Sequence, residues 1–208
     1  MQEILEQYRP GGTVIVGITG PAGAGKSTTS HLLAEHAMRL SVPLQVLPLD
    51  AFFRLSSRAR KEWLAEGERI GGQELARRSD MTTWWDFDRL VDVINRLRRM
   101  EVVHLYNIYN REDGGDLTGE LTIDLHGGGI LVVEGVAVAH LRAQGLVDIL
   151  IYVETREDIR RVRLLQRDGD RRRGVEAEKR WRLTQAFEQR YFAEYKRLAD
   201  FRLNNDNE

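Results

Sequence analysis

The stretch that most constrains this chain is Thr13 to Thr29, TVIVGITGPAGAGKSTT, where a glycine-rich loop joins a short apolar, β-branched run to an amphipathic helical segment. Gly20 to Ser27 fits G-x-x-x-x-G-K-[ST] at each required position, with the strand before it and the helix after it that the motif needs. Gly20, Gly23 and Gly25 let the backbone turn with no Cβ in the way, so successive N–H groups face phosphate oxygens. A helix beginning near Lys26 adds unpaired N–H groups and the positive end of its dipole. Gly20, Pro21, Ala22, Gly23, Ala24, Gly25, Lys26, Ser27 and Thr28 are therefore expected to hold a nucleoside triphosphate. Lys26 would reach the β/γ-phosphates and the Ser27 hydroxyl would ligate Mg²⁺.

What else the chain does with a triphosphate is bounded by its totals. At 208 residues it reads as one domain, residues 1–208, able to bury a core without staples. A net charge of −1, with 30% charged and 42% apolar residues, fits an ordinary globular protein rather than a nucleic-acid binder or a disordered tail. With no cysteine, disulfides and thiolate metal sites are excluded. No apolar run approaches the roughly 20 residues of a membrane span, and MQEILEQYRP lacks the basic and apolar regions of a leader. A cytoplasmic protein with no membrane partner is expected.

Along the chain, Ile4, Leu5 and Tyr8 suggest a short docking helix, broken by Pro10-Gly11-Gly12. In the helix after the loop, Leu33, Ala37 and Leu40 lie on one face and should pack on the sheet; His31 on this helix reads as a surface histidine before it reads as a catalytic one. Leu44 to Leu49 reads as a buried strand ending in Asp50, then Ala51-Phe52-Phe53. Ligands of open α/β sheets bind beyond the carboxyl ends of strands, so Asp50 is placed to take a proton from an acceptor hydroxyl or to touch the metal, with a capping role as the alternative. Arg54 to Asp80, with few apolar residues, reads as a loosely packed or mobile insertion. Asp86 or Asp88 should cap a helix carrying Leu90, Val91, Ile94 and Leu97. Val102 to Leu125 alternates about Asn110 to Gly115 and reads as a β-hairpin. Its Tyr106, Asn107, Tyr109, Asn110 and Arg111 suit a small polar substrate, or simply a solvated face.

Ile130 to Val133 is an apolar run ending in Glu134, placed to hold Mg²⁺ directly or through water. Val147 to Val153 is a further core strand. Eight arginines then fall within 156–173, and Arg160, Arg163 and Arg167 share one side of a helix, where they could clamp transferring phosphates as a lid. Asp158, Asp168 and Asp170 interrupt this patch and no aromatics interleave it, which argues against nucleic acid. A last helix over about 176–198 carries an apolar stripe of Trp181, Thr184, Phe187, Tyr191, Tyr195 and Leu198, and 199–203 could add an edge strand.

The P-loop, PLDAFF at 48–53, DFD at 86–88, VVEG at 132–135 and YVETREDIRRVRLLQRD at 152–168 stand in an order that resembles the uridine kinase and phosphoribulokinase superfamily. The resemblance spans residues 13–203. It implies an α/β P-loop fold, a three-layer sandwich with a five-stranded parallel sheet in order 2-3-1-4-5. It also implies substrate-side insertions at 54–85 and 102–125 and a lid at 156–174. By the same resemblance ATP binds Gly20 to Thr28; Ser27, Asp50 and Glu134 surround Mg²⁺; Asp50 is the base; and Arg163 and Arg167, with Lys26, serve the transferring phosphoryl group. The departures fall on the acceptor side. Where uridine kinases carry an Asn-Phe-Asp-His-Pro-Asp-like stretch, Asp80-Met81-Thr82-Thr83-Trp84-Trp85 stands, and the hairpin keeps Tyr106 but lacks a histidine near the base. The reading is an ATP- and Mg²⁺-dependent kinase of a hydroxyl on a small polar molecule, a nucleoside or nucleoside-like compound. The acceptor would lie against Phe53, Thr82, Trp84, Tyr106, Asn107, Tyr109 and Arg111. A pantothenate-like or sugar-phosphate acceptor, or a regulatory ATPase, is the alternative, and assembly into a homo-oligomer is left open.

Overall fold

A computed structural model of the chain describes residues 4, 8–168 and 174–206. The helix expected at the N-terminus lies outside the described residues apart from Ile4 and Tyr8, as do Asp170 and Arg171 to Arg173 of the arginine run. In chain order the strands are β1 (Thr13–Thr19), β2 (Leu44–Pro48), β3 (Val103–Asn110), β4 (Asp116–Ile123), β5 (Gly129–Glu134), β6 (Ile149–Glu154) and β7 (Phe201–Asn204). The α-helices are α1 (Lys26–Arg39), α2 (Ser57–Ile70), α3 (Gly72–Ser79), α4 (Phe87–Arg98), α5 (Ala139–Ala143), α6 (Glu157–Asp168) and α7 (Gly174–Tyr195). Short 3₁₀ turns occupy Leu49–Phe52, Met81–Trp84 and Lys196–Leu198.

Five strands form a mostly parallel sheet in the order β2-β5-β1-β6-β7, while β3 and β4 pair apart from it. Numbered among themselves, the five sheet strands run 2-3-1-4-5, the order that the resemblance implies. Val16 stands opposite Ile149 and Ile151 opposite Phe201, so the expected edge strand exists and runs parallel to β6. β5 and β6 are buried from their first residue to their fifth, which is why each reads as a continuous apolar run rather than an alternating one.

The chain divides into two compact units, Met1–Val14 with Ala37–Leu131, and Ile15–His36 with Val132–Glu208. In the first, α4 buries Leu90, Val93, Ile94 and Leu97, and the Asp86 carboxylate caps it by accepting from the Arg89 N–H. The hairpin is antiparallel, with Val103 opposite Ile123 and Leu105 opposite Leu121. Its register shifts between Leu105 and Ile108, where Asn107 takes φ +54°, so both Leu105 and Ile108 remain buried across an odd spacing. In the second unit, α7 buries Trp181, Thr184, Phe187, Glu188, Tyr191 and Phe192.

Two expectations need correcting. Residues 54–80 are not a loose insertion: α2 begins on a Ser56 cap, α3 follows at once, and Arg60 and Gly67 are buried. Arg60 lies over the Phe53 ring and Arg78 donates to Trp63 O at 2.6 Å, while Arg58, Arg69 and Arg77 stay exposed in ion pairs with Glu62, Glu66 and Glu74. Leu40, expected on the packed face of α1, is 53% exposed because the helix stops at Arg39 and Ser41 turns the chain at φ +55°; Leu33 and Ala37 are buried as expected.

Candidate active site

In the second unit the loop that follows β1 needs its glycines. Gly20 has φ +148° and a Cβ there would strike the carbonyl oxygen of Val153; Gly23 has φ +79° and a Cβ would lie 2.8 Å from the carbonyl oxygen of Arg160. The loop is thus seated directly on β6 and α6. Its helix starts at Lys26, so the N–H groups of Lys26, Ser27 and Thr28 belong to the first turn, which has no intrahelical acceptors. Lys26 Nζ donates to Gly20 O at 2.9 Å and Pro21 O at 3.0 Å, folding the ammonium back over the loop. The Ser27 hydroxyl donates to Glu134 at the end of β5, 3.1 Å to Oε1 and 3.3 Å to Oε2. Two residues far apart in sequence, both expected to serve Mg²⁺, therefore meet. They offer hard oxygen donors of the kind that ion takes. No group of three or more His, Cys, Asp or Glu side chains forms a metal cage among the described residues.

The same unit holds a set of contacts that sequence reasoning missed. Glu188 on α7 accepts from the Ala22 N–H at 2.5 Å through Oε1 and from Arg160 Nη1 at 2.9 Å through Oε2. The two side chains are 8% and 5% exposed, and Trp181 lies under the guanidinium at 5.3 Å. Arg160, expected to share a phosphate clamp with Arg163 and Arg167, is thereby committed to the loop's support instead. Arg163 donates to Asn205 O at 3.1 Å, while the Asn205 amide and the Thr155 hydroxyl both donate to Ala24 O. Glu188 left a trace in the sequence, since a carboxylate four residues after Thr184 lies within the apolar stripe of α7; Asn205 left none. Near the end of the sheet, burial lowers the pKa of His140, and Tyr191 OH accepts from the His140 backbone N–H at 3.0 Å.

In the first unit Asp50 sits in the 3₁₀ turn after β2, its carboxylate 45% exposed and 4.0 Å from Arg111 Nη2. Phe53 stacks on Trp85 with centroids 5.3 Å apart, meets Tyr109 edge-on at 5.1 Å, and carries the Arg60 guanidinium 3.7 Å over its ring. Thr82 is tied to Asp80, its backbone N–H and hydroxyl both donating to Oδ1. Trp84, expected to lie against the acceptor, is 2% exposed and donates its indole N–H to Arg78 O at 2.9 Å. It is wall, not platform. Tyr106 is 56% exposed, and Asn107 beside it is exposed in the left-handed region. Asp50, Phe53, Tyr109 and Arg111 come together around the turn, and Trp84 lies 5.4 Å from the guanidinium that covers Phe53, while Thr82 stays with Asp80.

Comparison with known proteins bears on the family and the fold of the chain. The profile of the phosphoribulokinase/uridine kinase family matches residues 15–195. A uridine kinase of Latilactobacillus sakei is 30% identical over 76% of this chain and 68% of its own. Among solved structures, the phosphoribulokinase of Rhodobacter spheroides superposes with a TM-score of 0.65 at 16% identity, covering 92% of this chain and 70% of that one. A D-glycerate 3-kinase of Cryptococcus neoformans does so with a TM-score of 0.60 at 10% identity, over 91% and 83%.

Proposed function

The chain belongs to the phosphoribulokinase/uridine kinase family and is an ATP-dependent kinase of a hydroxyl group; we propose that it works with Mg²⁺ on a small, polar, non-aromatic acceptor. The Ser27–Glu134 hydrogen bond at the start of α1 carries the donor half of this reading. Ser27 and Glu134 would hold Mg²⁺; when bound, the ion neutralises charge on the phosphate oxygens. The residues of the chain do the rest. The first-turn N–H groups of α1 and Lys26 bind the triphosphate, Arg163 and Arg167 steady the transferring group, and Asp50 takes the proton of the acceptor hydroxyl as its oxygen bonds to the γ-phosphorus and the bond from that phosphorus to the β,γ-bridging oxygen breaks, releasing ADP. Arg111 orients Asp50 or meets the acceptor.

The acceptor half rests on how the rings are used. Of the aromatic residues expected to hold it, Trp84 is buried and Phe53 is covered by its neighbours, so a sugar- or hydroxy-acid-like molecule fits better than a flat base. That the fold serves a protein named as a D-glycerate 3-kinase is compatible with this. A nucleoside is the second reading, favoured by the exposed ring of Tyr106 and by a relative named uridine kinase. The test is phosphoryl transfer from ATP across a panel of sugars, hydroxy acids, vitamins and nucleosides, with products identified by mass. Transfer to a non-aromatic member is expected. ATP turnover indifferent to every compound would remove the kinase reading, and uridine turnover with kcat/KM of about 10⁴ M⁻¹s⁻¹ or more would restore the nucleoside.

A further inference from the structure

The acceptor half contains a box of three aromatic rings filled by one cation. Arg60, on the first turn of α2, is buried, and its guanidinium carbon lies 3.7 Å from the centroid of Phe53, 5.4 Å from Trp84 and 5.8 Å from Tyr109. Its Nη1 donates to Leu55 O at 3.2 Å and its backbone N–H to Ser56 O at 2.9 Å, so both ends of the side chain are tethered. The box is braced from the hairpin, where Tyr109 OH shares a hydrogen bond of 3.2 Å with Ser57 Oγ and the Ser57 N–H donates to Gly115 O. A guanidinium over an aromatic face in a desolvated setting is held firmly by the ring quadrupole. At 3.7 Å it also stands where a second ring would have to stand, since offset-stacked rings need the same space. Trp85 stacks on Phe53 as well and Tyr109 meets its edge.

We propose that Arg60 is a specificity-determining residue: by filling the Phe53–Trp84–Tyr109 box it denies that box to any planar ring and restricts the acceptor to non-aromatic hydroxyl compounds, of the sugar or hydroxy-acid class. The proposal rests on the kinase reading given above but is tested apart from it. It adds a named cause to the choice of acceptor, and that cause is a side chain that need touch no substrate atom to act. Removing the plug while keeping the box should admit a base.

The experiment measures uridine binding by titration calorimetry for the wild-type chain, Arg60→Ala and Arg60→Met, with ATP binding and melting temperature on the same samples. Arg60→Ala opens the box, whereas Arg60→Met keeps most of the plug's volume without its charge. No saturable uridine binding is expected for the wild type or Arg60→Met, and an affinity at least tenfold stronger for Arg60→Ala, with ATP binding unchanged throughout. Saturable uridine binding by the wild type overturns the proposal, and so does a folded Arg60→Ala no better than wild type. Should Arg60→Ala fail to melt cooperatively, Arg60→Ser with the same readout decides in its place, and failure of both to fold overturns the proposal, because the side chain is then part of the unit's structure and not a removable plug. Loss of ATP binding in every sample, wild type included, would instead count against the donor site and the kinase reading.

Discussion

A single ion pair shows how far the phosphate loop depends on residues outside its motif. Arg160 and Glu188 are both buried, and Glu188 also holds the Ala22 N–H, so removing either partner leaves a buried charge and loosens the loop. Breaking such a pair from one side costs about 3–5 kcal/mol. At this chain length each kcal/mol corresponds to roughly 2–4 °C, so Arg160→Ala should melt roughly 6–20 °C lower in a thermal scan. The paired change Arg160→Met with Glu188→Met should recover part of that, leaving the ~1–3 kcal/mol lost when the Ala22 N–H has no acceptor. An Arg160→Ala variant as stable as wild type would show that the pair holds nothing. His140 gives a pH signature. Burial keeps its folded pKa below the unfolded value of about 6.5, so the unfolded chain binds more protons as pH falls. Its neutral form is fully compatible with the fold above that pH, and stability is lost as pH drops from about 6.5 towards the lower folded value. The difference in melting temperature between wild type and His140→Gln should therefore shift against wild type across that window and be flat above pH 7.5; a flat difference throughout would contradict the burial effect.

α6 has two parts with different duties. Its start is fixed, because Arg160 is bound to α7 and a Gly23 side chain would meet its backbone, whereas Arg163 sits farther along and Arg167 near the end is exposed. Hydrogen exchange at 157–162 should be slow with or without nucleotide, while exchange at 163–168 should slow on adding a non-hydrolysable ATP analogue. Arg163→Ala and Arg167→Ala should slow transfer with little change in melting temperature. Unchanged exchange over 163–168 would argue against closure of this helix on the triphosphate. The arginines of α2 and α3 carry the opposite lesson. Their density reads in the sequence as a loosely packed or mobile insertion, yet Arg60 and Arg78 are spent on rings and carbonyls within the unit.

At the scale of the molecule, the strands and the phosphate loop were legible because each has a local cause, whereas the strand order came only with the resemblance. Continuous apolar runs mark the strands, and a glycine-Lys-Ser pattern marks the turn. The acceptor side was legible only as a list of residues. Whether Trp84 faces a ligand or the interior, and whether a given arginine meets phosphate, carboxylate or an aromatic ring, depends on contacts across long sequence separations that no periodicity encodes. Phe53 with Tyr109 and Ala22 with Glu188 are two such pairs. The account's central claim is that the loop binds the donor while Asp50 activates the acceptor. It is tested most directly by measuring transfer of labelled γ-phosphate, alongside ATP affinity, in wild type, Lys26→Ala and Asp50→Asn with the best acceptor of the panel. Lys26→Ala should lose both transfer and ATP affinity. Asp50→Asn should bind ATP as wild type does and transfer phosphate about 10² to 10⁴ times more slowly; wild-type transfer in Asp50→Asn, or a loss confined to its ATP affinity, would contradict the account.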